Sequence, residues 1–170
     1  MERPSLVTVA VALAVLAAGG LAALQFGLVP APDSYERTTV VVTDANGTRL
    51  ATVDVRVADT ARKRYVGLSE TDALAPGEGM LFVHESAGRH TYVMRGMAFP
   101  LDIVFIAPDG TITAVHHAPV PESTPGGDLR EYAGRGKYVL EVPRGYANAT
   151  GIDPGDRARI RGRWGRRTRG

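Results

Sequence analysis

The chain has 170 residues, 44% of them hydrophobic and 22% charged, which suits one globular domain plus an appendage and excludes wholesale disorder. It contains no cysteine, so a disulfide scaffold, a Cys-based zinc site, a thiol nucleophile and an acylated lipoprotein N-terminus are excluded together. The net charge of +2 conceals two unlike parts: positions 33–156 hold 17 acidic and 12 basic residues, whereas positions 157–170 hold seven arginines and no acid.

Residues 6–24 read LVTVAVALAVLAAGGLAAL, without a charge and with Thr8 as the one polar side chain. A helix of that length rises roughly 28 Å, close to the hydrocarbon thickness of a bilayer. Arg3 and the amino terminus precede it, so the positive-inside rule places the N-terminus in the cytoplasm and the rest of the chain outside. The apolar run is longer than a usual signal-peptide core, which favours a retained anchor over a cleaved signal; export follows in both cases. Asn46 and Asn148 are the only asparagines, and both stand in acceptor sequons, Asn46-Gly47-Thr48 and Asn148-Ala149-Thr150. They are candidate glycosylation sites of an exported domain, and Asn46-Gly47 is equally a hairpin turn.

Residues 26–37, with two prolines, read as a linker. The β-branched runs 38–43 and 49–57 form a hairpin with one buried face, because Val53, Val55 and Val57 alternate with Asp54 and Arg56. Asp59-Thr60 caps a short helix over 61–69 that would bury Ala61, Tyr65 and Leu68. Strands follow at 80–84, 90–95, 101–107 and 111–117, with Pro108-Asp109-Gly110 as a tight turn. The stretch 118–136 is an unpatterned loop rich in Pro, Gly and charge; 137–142 and 157–163 complete about eight strands. With no alternating βαβ pattern, the fold expected is mainly β, a β-rich α+β domain built as a compact antiparallel barrel or sandwich with one short helix, after an N-terminal transmembrane helix. The corresponding organisation is a membrane anchor or signal segment at 1–26, a linker at 27–37, the β-rich extracytoplasmic domain at 38–163 and a basic tail at 164–170.

Several segments together resemble a known family. Val55-Arg56-Val57-Ala58-Asp59-Thr60 with Arg64-Tyr65-Val66-Gly67-Leu68, then Gly79-Met80-Leu81-Phe82-Val83, are similar to the opening blocks of the family catalogued as domain of unknown function 192. Met94, Pro100-Leu101-Asp102-Ile103-Val104-Phe105-Ile106, Asp109-Gly110, Tyr138-Val139-Leu140-Glu141-Val142, Gly145 and Gly155-Asp156 continue the resemblance in order, over roughly 50–160. It implies a compact β-rich fold in a small exported or membrane-anchored bacterial or archaeal protein, and it implies no activity. The chain departs from the family's usual aromatic-Trp-Met-x-Asn-Thr stretch, which here reads Tyr92-Val93-Met94-Arg95-Gly96-Met97.

Strand alternation gives the candidate chemistry. His90, Tyr92 and Met94 share one face of their strand; Asp102 lies on the face of Val104 and Ile106, and Glu141 on the face of Val139. A carboxylate within an apolar run either finds a partner or points outward, because burying it alone is costly. His90, Tyr92, Met94, Asp102 and Glu141 are therefore the candidate ligand-binding residues. Asp102 and Glu141, if they converge, are a weak candidate acid/base pair of the kind that hydrolyses glycosidic bonds. The spacing of His84, His90, His116 and His117 matches no zinc motif, and no metal or other cofactor is expected. Nucleophile elbows, phosphate loops and dinucleotide fingerprints are absent.

Beyond the membrane contact of residues 6–24, the tail suggests one partner. Arg163, Trp164, Arg166 and Arg167 would contact an anionic envelope component through charge and an interfacial aromatic, and an exported address makes nucleic acid an unexpected partner. The reading is a membrane-anchored, extracytoplasmic ligand-binding or accessory module at the cell surface. Its alternatives are a carboxylate-dependent hydrolase of cell-surface carbohydrate and a structural envelope-interaction protein.

Overall fold

The computed structural model describes residues 34–121 and 129–165. The expected anchor at 1–26, the linker up to residue 33, the middle of the 118–136 loop, and Arg166 and Arg167 lie outside the described residues. Among the described residues, no helix is long and apolar enough to cross a membrane.

Seven strands form one sheet: β1 (Glu36–Thr43), β2 (Arg49–Ala58), β3 (Glu78–Val93), β4 (Leu101–Ile106), β5 (Ile112–Ala118), β6 (Glu131–Pro143) and β7 (Arg157–Ile160). Their order is β5-β4-β6-β3-β2-β1-β7. The sheet curls into a half-barrel, and its two edges meet at the bridge Thr111–Arg157, flanked by backbone hydrogen bonds from Ile112 to Asp156 and from Ala158 to Gly110. The β1–β2 hairpin is the expected one. The Asp44 carboxylate closes its turn by accepting from the amides of Asn46 and Thr48, and Gly47 takes the positive φ that the turn requires. The β-rich class is thus as the sequence indicates.

Four features differ from expectation, each for a physical reason. β2 and β3 pair in parallel, Asp54 opposite Glu78 and Val57 opposite Leu81. A parallel pair needs a crossover, and α1 (Ala61–Val66) with the segment after it supplies one. The segments 80–84 and 90–95 belong to one long strand, because β6 pairs along both halves of β3. β6 advances only from Gly136 to Tyr138 while β3 runs from Val83 to Gly88, so residues 84–87 bulge out of the ladder. A second helix, α2 (Tyr146–Thr150), follows Gly145, whose left-handed conformation stands at its N-cap. Finally, α1 is shorter than its pattern suggests and buries none of its residues; Leu68 just beyond it is buried, but Tyr65 is 73% exposed under the guanidinium of Arg95.

The sheet is covered on both faces at its centre. An inner core fills the concave side, with Val40, Val53, Leu81, Val104, Leu140 and Ile160 among its residues. An outer core lies on the opposite face of β3, β4 and β6, where Leu68, Leu74, Met97 and Phe99 from the connecting segments cover Met80, Ile103 and Phe105. Hence every residue of β4 is buried, and its run LDIVFI has no polar–apolar alternation. Gly134 on β6 makes room for the outer layer: a β-carbon there would overlap the ring of Phe105. Gly134→Ala is expected to cost about 1–3 kcal/mol by overpacking, read as a lower denaturant midpoint with an unchanged slope.

Candidate functional site

Glu141 sits on β6 among apolar neighbours because β6 alternates between the two cores. Tyr138, Leu140 and Val142 face the inner core; Val139 and Glu141 face outward, Glu141 pairing with Met80 on β3 and with Ile103 on β4. Glu141 is 6% exposed, and among the described residues nothing hydrogen-bonds its carboxyl or forms an ion pair with it. It borders a cavity of about 220 Å³ whose walls include Phe82, His84, Tyr92, Met94, Met97 and Leu101. Burial pushes the Glu141 carboxyl up to about 8, so at neutral pH it is mostly the uncharged acid.

The bulge in β3 arranges the other polar groups. It folds the strand so that the His84 and His90 rings stack, 3.6 Å apart and 10° from parallel. His84 Nε2 lies 2.9 Å from the Tyr92 hydroxyl, while His90 Nε2 is enclosed without a hydrogen-bond partner. Burial, with the charges of His90 and Arg64, lowers the His84 pKa to about 4, so this imidazole is neutral at physiological pH. Burial and the nearby Glu141 raise the Tyr92 pKa far above its usual value and keep its hydroxyl protonated. Tyr92 meets Phe82 and Phe105 edge-on, which fixes its ring at the cavity wall. Arg64, on α1, also borders the cavity; its Nη1 donates to the carbonyls of Asp59 (3.1 Å) and Val83 (2.9 Å).

Of the five ligand-binding candidates, the structure brings Tyr92, Met94 and Glu141 to this cavity and puts His90 behind it, stacked on His84. Asp102 is elsewhere. Its strand partner is Val142, whereas Glu141 is opposite Ile103, so the two carboxylates point to opposite faces of the sheet. This removes the convergence that an acid/base pair requires. Asp102 is fully buried and engaged: Oδ1 lies 2.6 Å from His117 Nδ1, and Oδ2 accepts from the Ala147 amide at 2.9 Å. It ties β4 to β5 and to the start of α2. His84, Arg64 and Met97 are not among the ligand-binding candidates; the sequence marks His84 only as one of four histidines and by its two-residue periodicity with Met80 and Phe82.

Arg163, a predicted contact for an anionic partner, has partners within the fold and stays half-exposed. It bonds Glu36 at 2.6 Å and Asp59 at 3.3 Å, and its guanidinium covers the Trp164 ring. Trp164 packs against the inner core, and its carbonyl accepts from the Tyr138 hydroxyl at 2.8 Å.

Comparison with known proteins fits this architecture. The profile of the DUF192 family, described as an uncharacterized ACR, matches residues 41–160. The chain belongs to the DUF192 family. A solved structure from Sinorhizobium meliloti 1021, provisionally described as a transcription regulator, shares 32% identity with a TM-score of 0.67; the match covers 75% of this chain and 95% of that one. A protein of unknown function from Novosphingobium aromaticivorans DSM 12444 shares 30% identity at a TM-score of 0.60, over 71% of this DUF192 chain and 82% of the other. No curated protein matches the sequence.

Two predictions separate the carboxylates. An acid whose pKa is raised by folding holds its proton more tightly when folded, so its contribution to stability falls between about pH 4.5 and about pH 8 and is level outside that window. Glu141→Gln should therefore match the wild type near pH 4 and exceed it at pH 8.5, the gap growing by about 1.4 kcal/mol per pH unit within the window. Urea unfolding at both pH values checks this; a gap that does not change with pH would show that Glu141 is not buried as an acid. Asp102→Ala should cost about 2–3 kcal/mol at neutral pH, since it strips a buried amide of its acceptor and frees His117. The same variant should leave the Glu141 cavity intact, visible as unchanged amide NMR shifts at Tyr92 and Met94.

Proposed function

We propose that this DUF192 domain is an extracytoplasmic binding module, tethered by residues 6–24, whose ligand enters the cavity at Glu141 and presents a protonated amine to its carboxyl. One observation carries the reading: a glutamate that is nine-tenths buried, lacks a hydrogen bond or ion pair, and borders a cavity lined by polar and apolar side chains alike. Such a group weakens the fold, so its presence there calls for a compensating partner. A small ammonium ligand supplies one. Binding ionises Glu141 and creates a charge-assisted contact in a half-buried site, and Phe82, Met94, Met97 and Leu101 cover the ligand's carbon skeleton. The cavity limits the ligand to a few non-hydrogen atoms or to one side chain of a larger partner. The Tyr92 hydroxyl and neutral His84 offer the hydrogen-bonding positions that would orient it.

A hydrolase reading has less support. Glu141 is the one carboxyl among the residues lining this cavity, and Asp102 faces the other side of the sheet. The extracytoplasmic address rests on the uncharged stretch 6–24 and on the sequons. Asn46, in the β1–β2 turn, and Asn148, in α2, are both exposed, as acceptors of glycans must be.

The test is a thermal-shift and calorimetric screen of the full-length chain at pH 7 with short alkylamines, against alcohols and carboxylates of the same size. Amines should raise the melting temperature of the wild type but not of Glu141→Gln. Binding should release close to one proton, read from the dependence of the enthalpy on buffer. Stabilisation by alcohols and not amines would overturn the ammonium assignment. A lack of response to all three series would remove the small-ligand reading.

A further inference from the structure

A second feature lies at the seam of the half-barrel and is independent of the Glu141 cavity. The end of β1, the start of β2, the β4–β5 turn and β7 surround an open groove of about 930 Å³. Four arginines line it: Arg49, Arg157, Arg159 and Arg161. Their placement follows from strand geometry. On β7, Ala158 and Ile160 are buried in the inner core, so Arg157 and Arg159 share the outer face, and Arg161 extends the row one step further. Residues two apart on a strand stand about 6.6–6.8 Å apart, so β7 offers a cation at each such step. Thr43 on β1 is opposite both Arg157 and Arg49, which sets Arg49 beside the row rather than in line with it.

These charges are met only in part within the fold: the Arg157 charge acts on Asp109, and the other three have no acid beside them in the groove. Among the described residues, none of the four arginines makes a hydrogen bond or ion pair through its side chain, in contrast to Arg163 with Glu36 and Asp59. The acid that lines the groove is Asp109, and both of its carboxylate oxygens already accept from Thr111, one from the amide at 3.0 Å and one from the hydroxyl at 3.0 Å. Four exposed like charges repel one another, and an anion that spans them relieves the repulsion. The one aromatic residue lining the groove is Tyr138, whose ring is buried in the inner core. The groove therefore has no free aromatic platform on which bases would stack.

We propose that this groove is a binding site for a linear phosphate-bearing polymer without bases, whose repeating charges lie along the arginine row of β7 with Arg49 as a lateral contact. The regular spacing favours a chain of charges over a single anion, and the lack of a stacking surface favours a polyphosphate or a phosphodiester-linked polymer over a nucleic acid.

The experiment uses the full-length chain and short-chain inorganic polyphosphate, with affinity measured by calorimetry over a salt series. Affinity should fall roughly 10- to 100-fold between 50 and 200 mM salt, as expected when several cations displace condensed counterions. The double variant Arg157→Ala/Arg159→Ala should weaken binding about tenfold or more, and Arg49→Ala alone by a smaller factor. Arg89→Ala/Arg144→Ala, which removes the same net charge elsewhere, should change affinity less than twofold. All of these side chains are exposed, so melting temperatures should stay level and report that each variant is folded. Equal losses in the two double variants would show that net charge alone is being read and would overturn the site. So would orthophosphate that competes as well as the polymer at equal phosphate concentration. A single-stranded oligonucleotide of equal charge that displaces polyphosphate would overturn the choice of polymer in favour of nucleic acid.

Discussion

The pairing of β6 with β3 on one side and β4 on the other places successive side chains of one strand in two separate apolar layers. Leu140 and Val142 close the inside of the half-barrel, and Val139 and Glu141 press into the layer beneath the connecting segments. No residue of β6 between Tyr138 and Val142 is left to water. A carboxyl at position 141 therefore keeps its proton unless a positive group reaches it, and the nearby Arg64 is held by the carbonyls of Asp59 and Val83. The uncharged acid, the protonated Tyr92 and the neutral His84 all follow from the same lack of water.

The two carboxylates illustrate how differently one sheet can treat the same functional group. Asp102 is more deeply buried than Glu141, yet it accepts from a backbone amide and contacts an imidazole, so it acts as a bracket between β4, β5 and α2. Glu141 has no such contacts and faces a void. Burial alone would have ranked Asp102 first as the functional residue. The absence of partners, set beside an accessible cavity, ranks Glu141 first.

Much of the fold was legible because its signals are local. The alternation of Val53, Val55 and Val57, the Asn46-Gly47 turn and the opposite facing of Ala158 and Arg159 depend on near neighbours only. The parity of each carboxylate along its own strand was also legible: Asp102 does share a face with Val104, and Glu141 with Val139. The register between strands was not. Which face of β4 coincides with which face of β6 is set by long-range pairing, and a shift of one residue would have joined the two carboxylates in one layer. The same limit hid the parallel β2–β3 pair and the stacking of His84 on His90. That stack depends on how many residues β3 inserts against β6, a count that neither segment contains. Tyr65 shows the opposite failure, a helical pattern of apolar residues on an element too short to bury them.

The chain enters β1 at Glu36 and leaves β7 after Ile160, which lies opposite Val40, so both ends of the folded unit emerge from the same end of the β1–β7 pair. A pull applied between those ends would load the ladder in series, one residue pair at a time, as in opening a zipper. β7 holds to β1 through four pairs, against ten pairs between β3 and β6, and to the far edge through the Thr111 bridge and the Ala158–Gly110 backbone bond. Under tension the Trp164 and Arg163 contacts would give first and β7 next, with the central strands still intact, and the arginine row would disperse along the released chain.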